Sequence, residues 1–172
     1  AIVPAAASVL VGFEPLTLDR DVVRETVAGL AAGVPAVPPR PAGARAHEIP
    51  VAYGGDDGPD LAPLAAEAGL ATEDVIAQHA GVEYEVAFLG FAPGFAYLLS
   101  VPHAIARPRL ATPRPRVPAG SVGIAGRATG IYPATLPGGW RIVGRTDTAM
   151  FDPVASDPTR FRPGDVVRFT PR

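Results

Sequence analysis

Cysteine is absent from the 172 residues, which removes disulfides, thiolate metal sites and a cysteine nucleophile together. Lysine is absent as well: all 15 basic side chains are Arg, so Schiff-base chemistry and a lysine phosphate clamp are excluded. No apolar run approaches the ~18 residues a membrane helix needs. The start, Ala1-Ile2-Val3-Pro4, has no basic region of the signal-peptide kind. A soluble, cytoplasmic protein with no membrane partner is expected. The three His, at 47, 79 and 103, are too far apart for an HxH or HExxH pair, so no metal ligand set is expected.

What is present is unevenly spread. The net charge is only −2, yet residues 46 to 106 hold nine acids and no Arg, while residues 107 to 172 hold eleven Arg against four acids. Such asymmetry fits an interface or an anion-receiving surface. It fits equally two segments that lie side by side and neutralise each other within one domain. Nucleic acid is disfavoured as a partner, because the Arg residues are interleaved with Pro and Gly rather than with stacking aromatics.

Along the chain, Ser8 to Phe13 reads as a strand. Asp19 to Ala32 reads as a helix with Val23, Val27 and Leu30 on one face and Gly33 beyond its end. Residues 34 to 46, with Pro35, Pro38, Pro39 and Pro41, read as a linker. Glu48 to Tyr53 is the next strand; Asp60 and Thr72 stand where they can cap two short helices, the second carrying His79, and Gly69 and Gly81 end them. Beyond Val82 the pattern changes to short β-rich runs between Gly and Pro turns: Tyr84 to Leu89, Val122 to Ala125, Trp140 to Val143 and Val166 to Phe169. That pattern points to an all-β sandwich or barrel. The domain reading is therefore 1–46 for a small α/β segment plus linker and 47–172 for the β domain.

Two motifs are decoys. Gly139 to Thr146 has the Walker A spacing with Arg in place of Lys, but its inter-glycine residues are strand-like and no helix follows before Pro153. Ser121 lacks the Gly two positions before it that a nucleophile elbow requires. What remains is one dense stretch, Phe91 to Thr146, in which Gly permits close backbone approach and Pro stiffens loops. It predicts a rigid cleft with exposed backbone N–H donors.

At these residues the sequence resembles the family of KipI and allophanate hydrolase subunit 1, associated with the B subunit of 5-oxoprolinase. The matching blocks are Leu89 to Phe95 with Tyr97-Leu98, Val117 to Gly126, Thr129 to Pro133, Pro137 to Trp140 and Gly144-Arg145-Thr146. The resemblance implies a mostly β protein with α elements, a cyclophilin-like β-barrel preceded by a small α/β segment that reads as incomplete. It implies part of a hetero-oligomeric enzyme that opens the 5-oxoproline lactam to glutamate at the expense of ATP, inactive alone. The expected partners are a homologue of the C subunit with a related barrel, the A subunit, and a small anionic substrate. ATP is the expected cofactor, its site on this or another polypeptide of the enzyme. Arg114, Arg145 and Ser121 are expected to be catalytic, with Arg116 as a further clamp. Phe91, Pro93, Gly94, Phe95, Pro118, Gly120, Ile124, Gly126, Thr129, Tyr132, Pro133, Gly139 and Trp140 are expected to bind substrate, with the N–H groups of Gly120 to Gly126 as oxyanion donors. A urea-type carboxyltransferase and a KipI-like inhibitor of a histidine kinase are the alternatives the resemblance leaves open.

Overall fold

Tyr84, Val86 and Phe88 are buried and their neighbours are not, the two-residue period of a strand with one face in the core. Strands of this kind build the larger of two compact units, residues 44–172; the smaller comprises residues 1–43. The structure, a computed structural model, describes residues 1–5, 8–34 and 41–172. The proline-rich part of the expected linker, 35–40, lies outside the described residues.

The small unit contains β1 (Ile2–Pro4) and β2 (Val9–Val11), paired antiparallel, and α1 (Arg20–Ala32). The strand expected over Ser8 to Phe13 is thus shorter and has a partner that the sequence pattern did not reveal. Asp19 caps α1 by accepting from the N–H groups of Asp21 and Val22. No residue of α1 is buried, and Leu30, on its expected apolar face, is 70 % exposed.

The large unit is a closed seven-stranded barrel. Its strands are β3 (Ala46–Tyr53), β4 (Tyr84–Leu89), β5 (Ala96–Leu99), β7 (Ser121–Ala125), β8 (Ala128–Ile131), β10 (Arg141–Arg145) and β11 (Val166–Pro171), in the order β10-β3-β11-β4-β5-β8-β7. All pairs are antiparallel except β3 with β11, which run parallel in the register Ala46↔Val166. Closure removes both free edges, the standard solution to the exposed-edge problem. β6 (Arg114–Val117) and β9 (Leu136–Gly138) form a separate ribbon. Two helices, α2 (Leu61–Ala68) and α3 (Thr72–Ala80), connect β3 to β4.

Local chemistry explains the helix boundaries with two corrections. Gly69 ends α2 in the left-handed conformation, as a C-terminal glycine should. Asp60 does occupy the N-cap position of α2, but its carboxylate makes no capping bond and is engaged elsewhere. Ala71, not Thr72, is the N-cap of α3; Thr72 is already helical and turns its hydroxyl to Glu73.

The main core runs through the barrel and under α2 and α3, from Ile49 and Val51 through Leu64, Val75 and Leu98 to Phe169. A second, smaller cluster of Phe95, Val117, Tyr132, Trp140 and Ile142 lies apart from it. The acidic and basic segments of the sequence neutralise each other within this unit: Arg114 pairs with Asp60, Arg141 with Glu67, Arg145 with Asp57 and Arg168 with Glu83. No helix of the described residues is long and apolar enough to cross a membrane.

Candidate functional site

The site is organised by one turn. Pro118-Ala119-Gly120-Ser121 closes with a bond from Ser121 N–H to the Pro118 carbonyl, and Gly120 adopts φ +79°. Gly120 donates to the carbonyl of Tyr132 at 2.8 Å and accepts from the N–H of Thr146 at 2.9 Å. Any Cβ at position 120 would run into the Thr146 carbonyl. This stitching brings the end of β8, with Tyr132, and the end of β10, with Arg145, to the two sides of the same turn.

Three adjoining hollows result. An arginine-lined one of about 230 Å³ is walled by Asp56, Asp57, Arg114, Arg116, Pro118, Ser121 and Arg145. Arg145 also lines its neighbour, about 320 Å³, together with Gly120, Tyr132 and Pro133. Tyr132 in turn lines an aromatic notch of about 80 Å³ with Phe91, Phe95, Tyr97, Arg109, Gly139 and Trp140.

In the first hollow the three arginines are not equivalent. Asp60 grips Arg114 with both oxygens, at 2.7 and 2.8 Å, while accepting from the N–H of Ile142 at 2.6 Å. The bond to Asp60 is the main reason the Arg114 guanidinium is held above its ordinary value, so it is a fixed cation. Arg145 has only long contacts, 3.5 Å to Asp57 and 3.9 Å to Asp147, both exposed, and is electrostatically available. Arg116 has no carboxylate partner among the described residues.

In the notch Phe95 is the hub. Its ring centroid lies 5.3 Å from Trp140, 5.4 Å from Tyr132, 5.1 Å from Tyr97 and 5.4 Å from Phe91, all edge to face. The loop that carries it is tightly specified: Ala92-Pro93-Gly94-Phe95 is a turn closed by Phe95 N–H to the Ala92 carbonyl, with Pro second and Gly94 third at φ +80°. Just before it the N–H of Ala92 bonds the Gly90 carbonyl around Phe91, whose φ is +71°. A three-residue turn of that hand is rare and strained for an L side chain. Phe91 is nevertheless 60 % exposed at the mouth of the notch. Burial raises the Tyr132 phenol, against opposing contributions from Trp140, Arg109 and Arg114, which keeps it a neutral hydroxyl at pH 7.

Several expected site residues are placed elsewhere and are corrected to structural positions. Ile124 is wholly buried in the main core. Thr129 is wholly buried and bonded to His79 and to the Gly123 carbonyl. Gly126, at φ +59°, makes the turn from β7 to β8, and its N–H goes to the Arg107 carbonyl. Pro93 and Gly94 shape the turn below Phe95. The expected oxyanion donors are corrected too: the N–H groups of Gly120, Ser121 and Gly126 are bonded within the chain, and β7 is paired along both edges, with β8 and with β10. The cationic groups that remain here are the guanidiniums of Arg114, Arg116 and Arg145. Asp60 and Arg109 were not among the expected residues; Asp60 looked like a helix cap and Arg109 stands in no motif.

Two roomier hollows lie elsewhere on the barrel. One, about 410 Å³, is lined by Arg45, His47 and Asp157, which stand in ion pairs, and by Asp152 and Arg160, which bond backbone groups. At its base, burial alone would raise Asp165, but bonds from the Arg45 N–H, the His47 ring, the Arg162 N–H and the Arg45 guanidinium bring it down to about 2. The other, about 440 Å³, is a shallow surface by Tyr53, Gly55, Leu61 and Ile76. Neither sets an unbonded guanidinium beside an aromatic wall among the described residues.

A closed barrel with a flanking helix pair and an arginine-lined edge places the chain among carboxyltransferase-type barrel domains. It belongs to the family described as carboxyltransferase domain, subdomain C and D, whose sequence profile matches residues 1–161. The B subunit of 5-oxoprolinase from Escherichia coli O157:H7 is 55% identical over 125 residues, which are 73% of this chain and 57% of that protein. The chain spans about half the length of the curated relatives it matches. The crystal structure of a conserved uncharacterized protein from Pyrococcus horikoshii is 44% identical with a TM-score of 0.72, covering 100% of this chain and 78% of that one. The K. lactis urea amidolyase, 20% identical with a TM-score of 0.77, covers 100% of this chain with 12% of its own and shares the fold.

Proposed function

We propose that this chain acts as the B subunit of an ATP-dependent 5-oxoprolinase, with a homologue of the C subunit and the A subunit completing a cytoplasmic enzyme. The observation that carries the reading is the row of three hollows, in which unpaired guanidinium groups adjoin an aromatic notch, in a chain 55% identical over 125 residues to a 5-oxoprolinase B subunit.

The chemistry asks for such a row. A lactam is a poor electrophile. Transfer of the γ-phosphoryl group of ATP to the lactam oxygen releases ADP and turns that oxygen into a leaving group. Water then adds to the activated carbon, the adduct collapses by breaking the ring C–N bond as the nitrogen takes up a proton, and a second water hydrolyses the resulting acyl phosphate to glutamate and phosphate. Charge develops on phosphoryl oxygens at each stage, so positioned cations do most of the work. Arg145 and Arg116 are the clamps, Arg114 is a third cation set in place by Asp60, and the Ser121 hydroxyl, in the same lining, is a neutral donor. The ATP itself is held on this chain or on one of its partners. The urea-type alternative rests on a likeness of fold at 20% identity and has no observation of its own in the site.

The test is to co-express the chain with its A and C partners and assay ATP hydrolysis that depends on 5-oxoproline. Activity undiminished when this chain is omitted overturns the reading.

A further inference from the structure

We propose that the aromatic notch seats a five-membered lactam ring bearing a carboxylate, and that Arg109 is the group that receives the carboxylate. The inference deepens the reading given above and rests on it.

Size comes first. About 80 Å³ is the space of two or three waters, roughly what a ring of five atoms fills, whereas nucleotide-sized ligands need on the order of 300 Å³ or more. The walls are apolar faces and edges from Phe95, Tyr97 and Trp140. One wall has no side chains at all, because it is Gly138 and Gly139; a Cβ at Gly138 would collide with the Tyr132 hydroxyl. Glycine at 138 thus lets the Tyr132 hydroxyl pack against the backbone of β9, which sets the position of one side chain lining the notch.

Charge comes second. Arg109 lies over the Trp140 ring, its guanidinium carbon 5.9 Å from the centroid. Among the described residues of the barrel unit it makes no ion pair and no hydrogen bond; the other arginines of that unit, Arg116 excepted, are bonded to carboxylates or carbonyls. The two unpartnered guanidiniums thus stand at opposite members of one row, Arg109 at the notch and Arg116 at the arginine hollow. A lactam acid activated on its carbonyl oxygen has two anionic groups, a carboxylate and a phosphoryl, and this row offers one free cation to each. Stacked on Trp140, Arg109 is pre-oriented, so little side-chain freedom is lost when a carboxylate arrives.

Trp140 is the only tryptophan of the chain and reports directly on the notch. The experiment titrates the full chain with 5-oxoproline and, separately, with 2-pyrrolidinone, which has the ring without the carboxylate, following Trp140 fluorescence, with Trp140→Phe as the blank. We expect saturable quenching by 5-oxoproline, at least about tenfold weaker binding of 2-pyrrolidinone, and about tenfold or more loss of 5-oxoproline affinity in Arg109→Gln, the size of one charge-assisted hydrogen bond. Arg109→Gln leaves the 2-pyrrolidinone titration unchanged. No saturable signal, equal binding of the two compounds, or full affinity in Arg109→Gln overturns the proposal. In the reconstituted complex, 5-oxoproline-dependent ATP hydrolysis with an unaltered KM in Arg109→Gln defeats the subsite and leaves the hydrolase reading standing. Carboxylate-dependent binding without such hydrolysis supports the subsite and defeats the hydrolase reading.

Discussion

Nε2 of His79 lies 3.0 Å from Oγ1 of Thr129, and the direction of that bond is settled by what surrounds it. Thr129 gives its one hydroxyl proton to the carbonyl of Gly123, so it can only accept from the imidazole. His79 therefore carries its proton on Nε2, and Nδ1 accepts from the Tyr53 hydroxyl at 2.7 Å. The ring also stacks on Phe169, with centroids 4.6 Å apart. A second ring proton would force the Tyr53 hydroxyl to turn its own proton away, and burial pushes His79 down to about 3.

This neutral histidine makes stability depend on pH. In the unfolded chain the imidazole takes up a proton below its ordinary 6.5; in the folded chain it stays neutral down to about 3. The unfolded state binds more protons in that window, so the contribution is complete above 6.5 and is lost as pH falls, by at most about 1.4 kcal/mol per pH unit. Asp165, held at about 2, adds its own loss only at lower pH, below the ordinary carboxylate range. Urea denaturation from about pH 7 to about pH 4.5 should show the slope in the native chain and a flatter one in His79→Leu. Equal slopes in the two proteins would remove His79 as its source.

Asp60 supplies the second prediction. Its carboxylate is bonded to both terminal nitrogens of Arg114 and to the N–H of Ile142, and it is 6 % exposed. Asp60→Ala leaves a guanidinium without its counter-charge and a buried N–H without an acceptor, at a cost of about 3 kcal/mol. Arg114→Ala leaves the buried Asp60 carboxylate with only the Ile142 N–H, and the double variant should cost less than the sum of the two, because they share one interaction. Additive losses in denaturant midpoints would mean that the two side chains are not energetically coupled.

How far the sequence goes is visible at particular positions. Tyr84 to Leu89 was legible as a strand because one face is buried and the other is not, and Gly69 was legible because helix ends leave a local signal. β5, β6, β8 and β9 fell inside the stretch read as a cleft. They are three or four residues long, all but β5 contain Gly or Pro, and they are held as strands by partners rather than by propensity. The aromatic part of the candidate site was legible as a set, since Phe91, Phe95, Tyr132 and Trp140 do meet. The arginines were legible only as charges: nothing near Asp60 in the chain shows that its partner is 54 residues away, and nothing near Arg109 shows that it has none among the described residues. The donors assigned to Gly120 to Gly126 failed for the same reason, because their bonding is set by neighbouring strands.

Gly94 separates a shape role from a contact role. At φ +80° its missing Cβ would stand 2.7 Å from the Phe151 Cβ and 2.8 Å from the Met150 carbonyl oxygen. Gly94→Ala therefore combines left-handed strain with a backbone clash and should destabilise by about 2 kcal/mol or more. The loss will appear in thermal and urea unfolding without any ligand present. If Gly94→Ala unfolds like the native chain, the packing of this turn against residues 150 and 151 is not what holds glycine there.

Arg145 gives the opposite expectation, and the contrast tests the site. Its ion pairs are long and its side chain is 45 % exposed, so Arg145→Ala should change stability by less than about 0.5 kcal/mol. A guanidinium lining two of the three hollows and free to meet developing phosphoryl charge should, by contrast, matter to turnover by about tenfold or more. The reconstituted complex should assemble normally with Arg145→Ala while its 5-oxoproline-dependent ATP hydrolysis falls, chiefly in kcat. A structural arginine would behave the other way round, losing stability or assembly together with activity. Unchanged turnover in a fully assembled complex would take Arg145 out of the site and leave Arg116 and Arg114 to supply the charge.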